Sequence, residues 1–261
     1  MVLGVMSMYI DTHVHLNNKA LDEHLDHYIK KALDVGVRKM LVVGFTEATN
    51  KRAIEIASTF DFIYASVGFH PTIAKDVTEE DFDTLEALLT HRRVRAIGEC
   101  GMDLYWDDTF KDKQINVFER QIEMSKKHEL PLIIHMRDAD ELTYEILKKH
   151  APLKGVMHSY SGSTEMAEKF LALGLHISLS GPVTFKNAKK PKAVARVVPL
   201  DKLLVETDAP FLAPHPYRGK QNDSSFIPII ADAIANEKGI GLDKVKKATT
   251  KNANQLFNMN G

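Results

Sequence analysis

Eight short apolar or β-branched runs recur along the chain, and longer helical patterns alternate with them. The runs are MYIDTHVHL (8–16), RKMLVVGF (38–45), IYASVGFHP (63–71), VRAIGECGMD (94–103), PLIIHMR (131–137), KGVMHSY (154–160), LHISLSG (175–181) and LLVETDAP (203–210). Several are nearly all apolar, as strands covered on both faces are. Strands alternating with helices predict a parallel sheet, and eight such units in one continuous chain predict a (β/α)8 TIM barrel. An open doubly wound sheet is the alternative, but no G-x-G-x-x-G or G-x-x-x-x-G-K-[ST] follows any run.

The segments between the runs read as helices. Ile115, Phe118 and Ile122 share one helical face. Thr78 with Asp81 forms a capping-box pattern opening a helix over 79–90. Gly36 and Gly174 each end a helical pattern just before a strand, which suits a left-handed cap. A final helical region covers roughly 224–256. No low-complexity linker interrupts the pattern, so residues 1–261 are expected to form a single barrel domain.

Composition narrows the partners. Thirty-four basic residues face 35 acidic ones, for a formal charge of −1, so any nucleic-acid contact must come from a local patch. One cysteine rules out a disulfide framework within the chain and fits a reducing compartment. The start, MVLGVMSMYI, lacks a positive n-region and runs into a strand pattern, so it reads as neither signal peptide nor anchor. No segment approaches the roughly 20 apolar residues of a membrane helix. A cytoplasmic protein with no membrane contact is expected.

Residues able to bind metal recur at the carboxyl ends of the runs. They are Asp11, His13 and His15 in the first run, His70 in the third, and Glu99 and Asp103 in the fourth. His135 and Arg137 follow in the fifth, His158 in the sixth, and Glu206 and Asp208 in the eighth. Alternate side chains of a strand share a face, so each of these sets is expected to point into the barrel mouth, where barrel active sites lie. Four histidines and several carboxylates buried together without a cation would each need a partner or a shifted pKa. One or two divalent cations remove that problem, and the mixed donor set admits several metals. The remaining histidines, His24, His27, His91, His128 and His150, fall on helical patterns; His176 reads as structural and His215 as a weaker mouth candidate.

The pieces IDTHVHL, VGFHP, IGECGMD, PLIIHMR, MHSYSG, VETDAPFL and YRGKQND span residues 9–223 in order. Together they resemble the TatD-like metal-dependent deoxyribonucleases, among the amidohydrolase-type barrels. The resemblance implies a dinuclear metal site at the C-terminal ends of the strands. His13, His15, Glu99 and Asp208 would hold one divalent cation, and Glu99 would bridge to a second held by His135 and His158. It also implies hydrolysis of DNA from 3′ ends, expected to be single-stranded, with a divalent metal that is often magnesium. Histidine-rich ligation suits zinc or manganese better than magnesium. Cys100, Met102, Gln221 and Asp223 depart from the commoner family residues, and none is an implied ligand.

The expected mechanism is phosphodiester hydrolysis by metal-activated water, with Glu99 and Asp208 as catalytic groups. Asp208 orients the water and accepts its proton, while Asp11, Asp103 and Glu206 hold the ligands in place. Phosphate contacts are expected from His70, Arg137, Arg218 and Lys220. Lys186, Lys189, Lys190 and Lys192 form a further basic patch, and Tyr160 or Phe185 is a candidate to stack on a base. A monomer acting on DNA is the favoured arrangement. The rivals are a small-molecule amidohydrolase or lactonase using the same metals and a non-catalytic metal-binding barrel. Cys100, next to Glu99, is expected to face away from the site as a packing residue.

Overall fold

A computed structural model describes residues 8–259. Most of the amino-terminal stretch MVLGVMSMYI, residues 1–7, therefore lies outside the described residues. The strands are β1 (Tyr9–Val14), β2 (Val37–Val43), β3 (Ile63–Val67), β4 (Val94–Asp103), β5 (Leu132–Arg137), β6 (Gly155–Met157), β7 (His176–Leu179) and β8 (Leu203–Val205). Each pairs in parallel with the next, in chain order. A parallel bridge between Val14 and Ala209 joins the last unit to the first. The Thr12 hydroxyl adds a 3.0 Å hydrogen bond to the Val205 carbonyl. Helices lie between successive strands, so the architecture is the expected (β/α)8 barrel.

Local sequence explains the helix ends. Thr78 and Asp81 form the capping box that opens the helix Glu79–Leu89, and Thr46 with Thr49 does the same for Glu47–Thr59. Phe118 and Ile122 are buried on the helix Lys111–His128, with Ile115 half-buried beside them. The expected 224–256 helix is divided. A short 3₁₀ turn at Ser224–Phe226 leads into helices Ile227–Lys238 and Leu242–Leu256. Gly239, at φ 66°, caps the first of these and breaks the run.

Several strands are shorter than their apolar runs suggested. The 154–160 run is strand only at Gly155–Met157, and the 203–210 run only at Leu203–Val205. Beyond these points the chain leaves the ladder and bonds across the mouth. Asp208 N donates to His13 O at 2.9 Å, and His15 N donates to Ala209 O at 2.8 Å. His15, His70, His158, Glu206 and Asp208 consequently sit just past their strands, on loops pinned to the barrel rim.

Two apolar layers hold the barrel. The outer one packs strands against helices and includes Cys100, Phe118, Ile134 and Phe170. The inner one fills the lower barrel with Ile10, Leu41, Val43, Tyr64, Ile133, Val156 and Leu204, closed below by Leu256, Phe257 and Met259. Lys39 Nζ bonds Asn254 Oδ1 at 2.9 Å, and Arg95 Nε bonds the Asn258 carbonyl at 3.1 Å, tying the carboxyl-terminal segment to the strand starts. Among the described residues no helix is long and apolar enough to cross a membrane.

Candidate metal centre

The centre is organised around Glu99, and β4 is shaped to deliver it. Its pairing with β5 shifts register between Ile97 and Cys100. Gly98 and Gly101 flank this kink at φ 140° and 135°, where side chains are disfavoured. A Cβ on Gly98 would meet Ile133 O at 2.5 Å, and one on Gly101 would run into His135 O. The two glycines therefore let β4 lie against β5 while Glu99 turns inward.

The Glu99 carboxylate is shared between two sets of imidazoles. Its Oε2 lies 3.4 Å from His13 Nε2 and 3.7 Å from His15 Nε2. Its Oε1 lies 2.9 Å from His158 Nε2, 3.0 Å from His135 Nδ1 and 3.4 Å from His70 Nε2. Asp208 completes the first set, with Oδ1 3.5 Å from His15 Nε2 and 3.7 Å from His13 Nε2. Three groups bring one donor atom per residue within 4.8 Å of each other: His13, His15 and Glu99; His70, Glu99 and His135; and His13, His158 and Glu206.

A divalent cation fits these residues. His13 Nε2 and His15 Nε2 face one another at 3.1 Å, and at most one can be a donor while both face carboxylate oxygens. His13 Nδ1 is buried with no hydrogen-bond partner among the described residues. Lone pairs of nitrogen and oxygen thus converge without enough protons to satisfy them, and a cation relieves that arrangement.

A surrounding layer orients the rings. His15 Nδ1 donates to the Val43 carbonyl at 3.0 Å, leaving Nε2 for the centre. His158 Nδ1 lies 3.3 Å from Glu206 Oε1, which also accepts from Ser159 N at 2.6 Å. His135 Nε2 lies 2.9 Å from Asp103 Oδ2. Asp11 turns away from the donors. It accepts from Thr207 N, the Thr207 hydroxyl, the Ser224 hydroxyl and His13 N, fastening β1 to the segment after β8.

The charges respond to each other. Burial works to raise Glu99, but His158, His70, His13 and His135 outweigh it and hold the carboxyl well below its ordinary range. Burial likewise opposes ionisation of Asp208, and His15 and His13 overcome it. Burial acts to lower His158, yet Glu99 and Glu206 raise it well above the usual imidazole value. Asp11 behaves differently: burial dominates its four hydrogen bonds and lifts it to about 7.

Other expected residues fall into place unevenly. His70, expected to contact substrate, reaches Glu99 and packs its ring 4.4 Å from that of His135. Arg137 is exposed at the end of β5 with its guanidinium carbon 3.5 Å from the Tyr105 ring centre. Arg218 lies over Phe185 at 4.9 Å, and Lys220 over Tyr217 at 6.0 Å. Lys192 is engaged by Glu237 at 3.6 Å, whereas Lys186, Lys189 and Lys190 are exposed and carry no ion pair among the described residues.

Tyr160 does not fit the base-stacking expectation. It is buried against Phe170, and its hydroxyl is bonded to Ser163 O at 2.9 Å. His215 is exposed and outside the cluster; its N–H caps the Thr184 hydroxyl. His128 pairs with Glu86 at 2.7 Å on the outside of the barrel. Cys100 is buried in the outer layer, with Sγ 3.5 Å from Ile133 O, and burial raises its thiol far above the ordinary value.

Two glutamines that sequence reasoning passed over support the site. Gln114 and Gln121 lie two turns apart on Lys111–His128 and face the barrel rim. Gln114 accepts from Asp103 N at 2.9 Å and donates to Asp103 O at 2.8 Å. Gln121 accepts from Phe69 N at 2.8 Å and donates to Phe69 O at 3.0 Å, just before His70. Their spacing on an otherwise apolar face was the available signal.

Known proteins are similar to this chain along nearly their whole length. The chain is 45% identical over 255 residues to the uncharacterized metal-dependent hydrolase YabD of Bacillus subtilis, covering 97% of this chain and 100% of that one. It is 35% identical over 255 residues to the uncharacterized metal-dependent hydrolase YcfH of Escherichia coli, covering 96% of each. The crystal structure of YjjV, a TatD homologue from Escherichia coli, superposes with a TM-score of 0.91 at 30% identity, covering 96% of this chain and 98% of that one. Residues 10–258 match the family described as TatD related DNase. The barrel, its histidine–carboxylate mouth and these matches agree: the chain belongs to the TatD family of metal-dependent hydrolases.

Proposed function

We propose that this protein hydrolyses phosphodiester bonds of DNA, releasing nucleotides from a single-stranded 3′ end. The observation that carries the reading is the division of the Glu99 oxygens between His13 and His15 on one side and His70, His135 and His158 on the other. That division suits a carboxylate bridging two cations. His13, His15, Glu99 and Asp208 would hold one, and Glu99, His135 and His158 would hold the second. Bound there, zinc, manganese or magnesium supplies positive charge to the scissile phosphoryl group and acidifies water.

The residues around them have separate tasks. Asp208 stays ionised and accepts the proton of the attacking water. Asp103 and Glu206 keep the His135 and His158 rings aimed at the centre. Arg137 forms no ion pair among the described residues and stands at the mouth, free for a phosphate oxygen. A glutamate on β4, where a small-molecule amidohydrolase often carries a modified lysine, favours DNA over amides or lactones. A formal charge of −1 makes the affinity modest and salt-sensitive. In the same reading the protein works as a cytoplasmic monomer.

The test uses end-labelled single-stranded DNA alongside panels of amides, esters and lactones. The metal-loaded protein is expected to shorten the DNA stepwise from its 3′ end. A chelator or Asp208→Asn should abolish shortening, and Cys100→Ala should leave it intact. Turnover of a lactone with no shortening of DNA would overturn the reading. Shortening that persists in Asp208→Asn would assign the cleavage to a contaminating nuclease.

A further inference from the structure

Two aromatic side chains beside the centre stand unusually open. Tyr105 is 53% exposed and Trp106 68%, although large aromatic rings are mostly covered in folded proteins. They follow β4 directly, and their position is not left to a free loop. Tyr105 N and Trp106 N both donate to Asp103 Oδ1, at 3.0 and 3.3 Å. The other oxygen of the same carboxylate holds His135 at 2.9 Å. One carboxylate therefore fixes the aromatic pair relative to the metal centre.

Arg137 completes the group. It pairs with Asp103 in the β4–β5 ladder, and its carbonyl accepts from Leu104 N at 3.0 Å. Its guanidinium carbon is 3.5 Å from the Tyr105 ring centre and 5.3 Å from that of Trp106. The two rings meet edge to face, with centres 5.0 Å apart. A flat cation on Tyr105 next to an open indole makes a surface that takes a planar π system on one part and a phosphate on the other.

We infer that Tyr105, Trp106 and Arg137 form a stacking platform for the 3′-terminal base of single-stranded DNA. The inference rests on the phosphodiester reading above and assigns the binding of the base, which the metal centre does not contact. A base must be unpaired to reach the platform, so a frayed or single-stranded end is preferred over a blunt duplex. Stacking is tolerant of base identity because every base has a π face, so all four 3′ termini are accepted.

Trp106 is the only tryptophan of the chain, so its fluorescence reports the platform directly. Deoxyadenosine monophosphate, titrated into the magnesium-loaded protein, is expected to quench that emission saturably, and deoxyribose 5-phosphate is not. In parallel, KM is measured on oligonucleotides ending in a normal or an abasic 3′ residue. The wild type should favour the normal end, and Trp106→Leu should lose roughly 5- to 150-fold of that preference, the size of one base–aromatic stack. Trp106→Phe should restore it. Cleavage of DNA with the same preference in wild type, Trp106→Leu and Tyr105→Leu would overturn the platform while leaving the nuclease reading intact. If DNA is not cleaved at all, the nuclease reading fails, and the titration decides alone: nucleotide-specific quenching keeps a base-binding platform, and none removes it.

Discussion

The two ends of the barrel are built from the same strands and behave as opposites. At the bottom, Ile10, Leu41, Tyr64, Ile133 and Leu204 fill the interior, and Phe257 and Met259 close it. A few residues further along, the same strands deliver His13, Glu99 and His135 to the mouth. Below, the side chains are apolar apart from the Tyr64 hydroxyl, which bonds the Met259 carbonyl, so removing them from water adds to stability. Above, burial is opposed by charge, and the groups persist only by pairing with one another or with a cation. The stable end and the chemical end are thus separated along each strand, so each can change with little effect on the other.

Single substitutions test that separation. Phe257→Ala should destabilise the fold by about 3–5 kcal/mol, the usual cost of a deleted core aromatic. Denaturant titration measures it, and activity per folded molecule should stay near wild type. A matching loss of activity in the fully folded variant would break the comparison. Glu99→Ala should do the converse. Metal content by elemental analysis should fall, with activity down by at least about 10²–10³-fold, the cost of losing one preorganised electrostatic group. Unchanged metal content would sink its bridging role.

Glu206→Gln should lie between these extremes. It keeps the shape beside His158 but weakens the group that aims the ring, so metal affinity or activity should drop roughly 10- to 100-fold. Isothermal titration with metal and initial rates read it, and an effect on thermal stability alone would recast Glu206 as structural.

The smallest effect concerns histidine at the two ends. At the mouth, His158 is raised despite burial, because Glu99 and Glu206 face it. At the start of β7 the balance is reversed: burial, and then Lys202, push His176 down to about 4, and a backbone hydrogen bond with Gly155 and the charge of Asp201 offset them only in part. The unfolded state therefore binds the proton first as pH falls below about 6.5. The resulting loss of stability accumulates between about 6.5 and 4 and then levels off. Over pH 7 to 5 the melting temperature of His176→Gln should fall less steeply than that of wild type. Parallel curves would show that His176 does not contribute.

Much of this was legible in the chain itself. Eight runs in alternation specify the barrel because apolar strands and amphipathic helices can bury their faces together in few ways. Metal-binding residues at the ends of these runs mark the mouth, because strand ends converge there. Strand alternation correctly placed Cys100 outside and Glu99 inside, since neighbouring side chains take opposite faces. It did not account for Asp11, which is spent on Thr207 and Ser224, nor for Asp208, whose backbone turns left-handed at φ 58° beyond β8.

What the linear pattern lacks is distance between parts far apart in the chain. Gln114 and Gln121 read as polar breaks in an apolar helix face until the fold sets them against Asp103 and Phe69. Tyr160 reads as a stacking ring until packing encloses it against Phe170, while Tyr105 and Trp106 emerge as the open pair. Periodicity reports which face a side chain takes, so it was enough for the barrel and its mouth. Whether a ring is covered, and which oxygen meets which imidazole, depends on contacts across dozens of residues, and only closure of the barrel brings those atoms together.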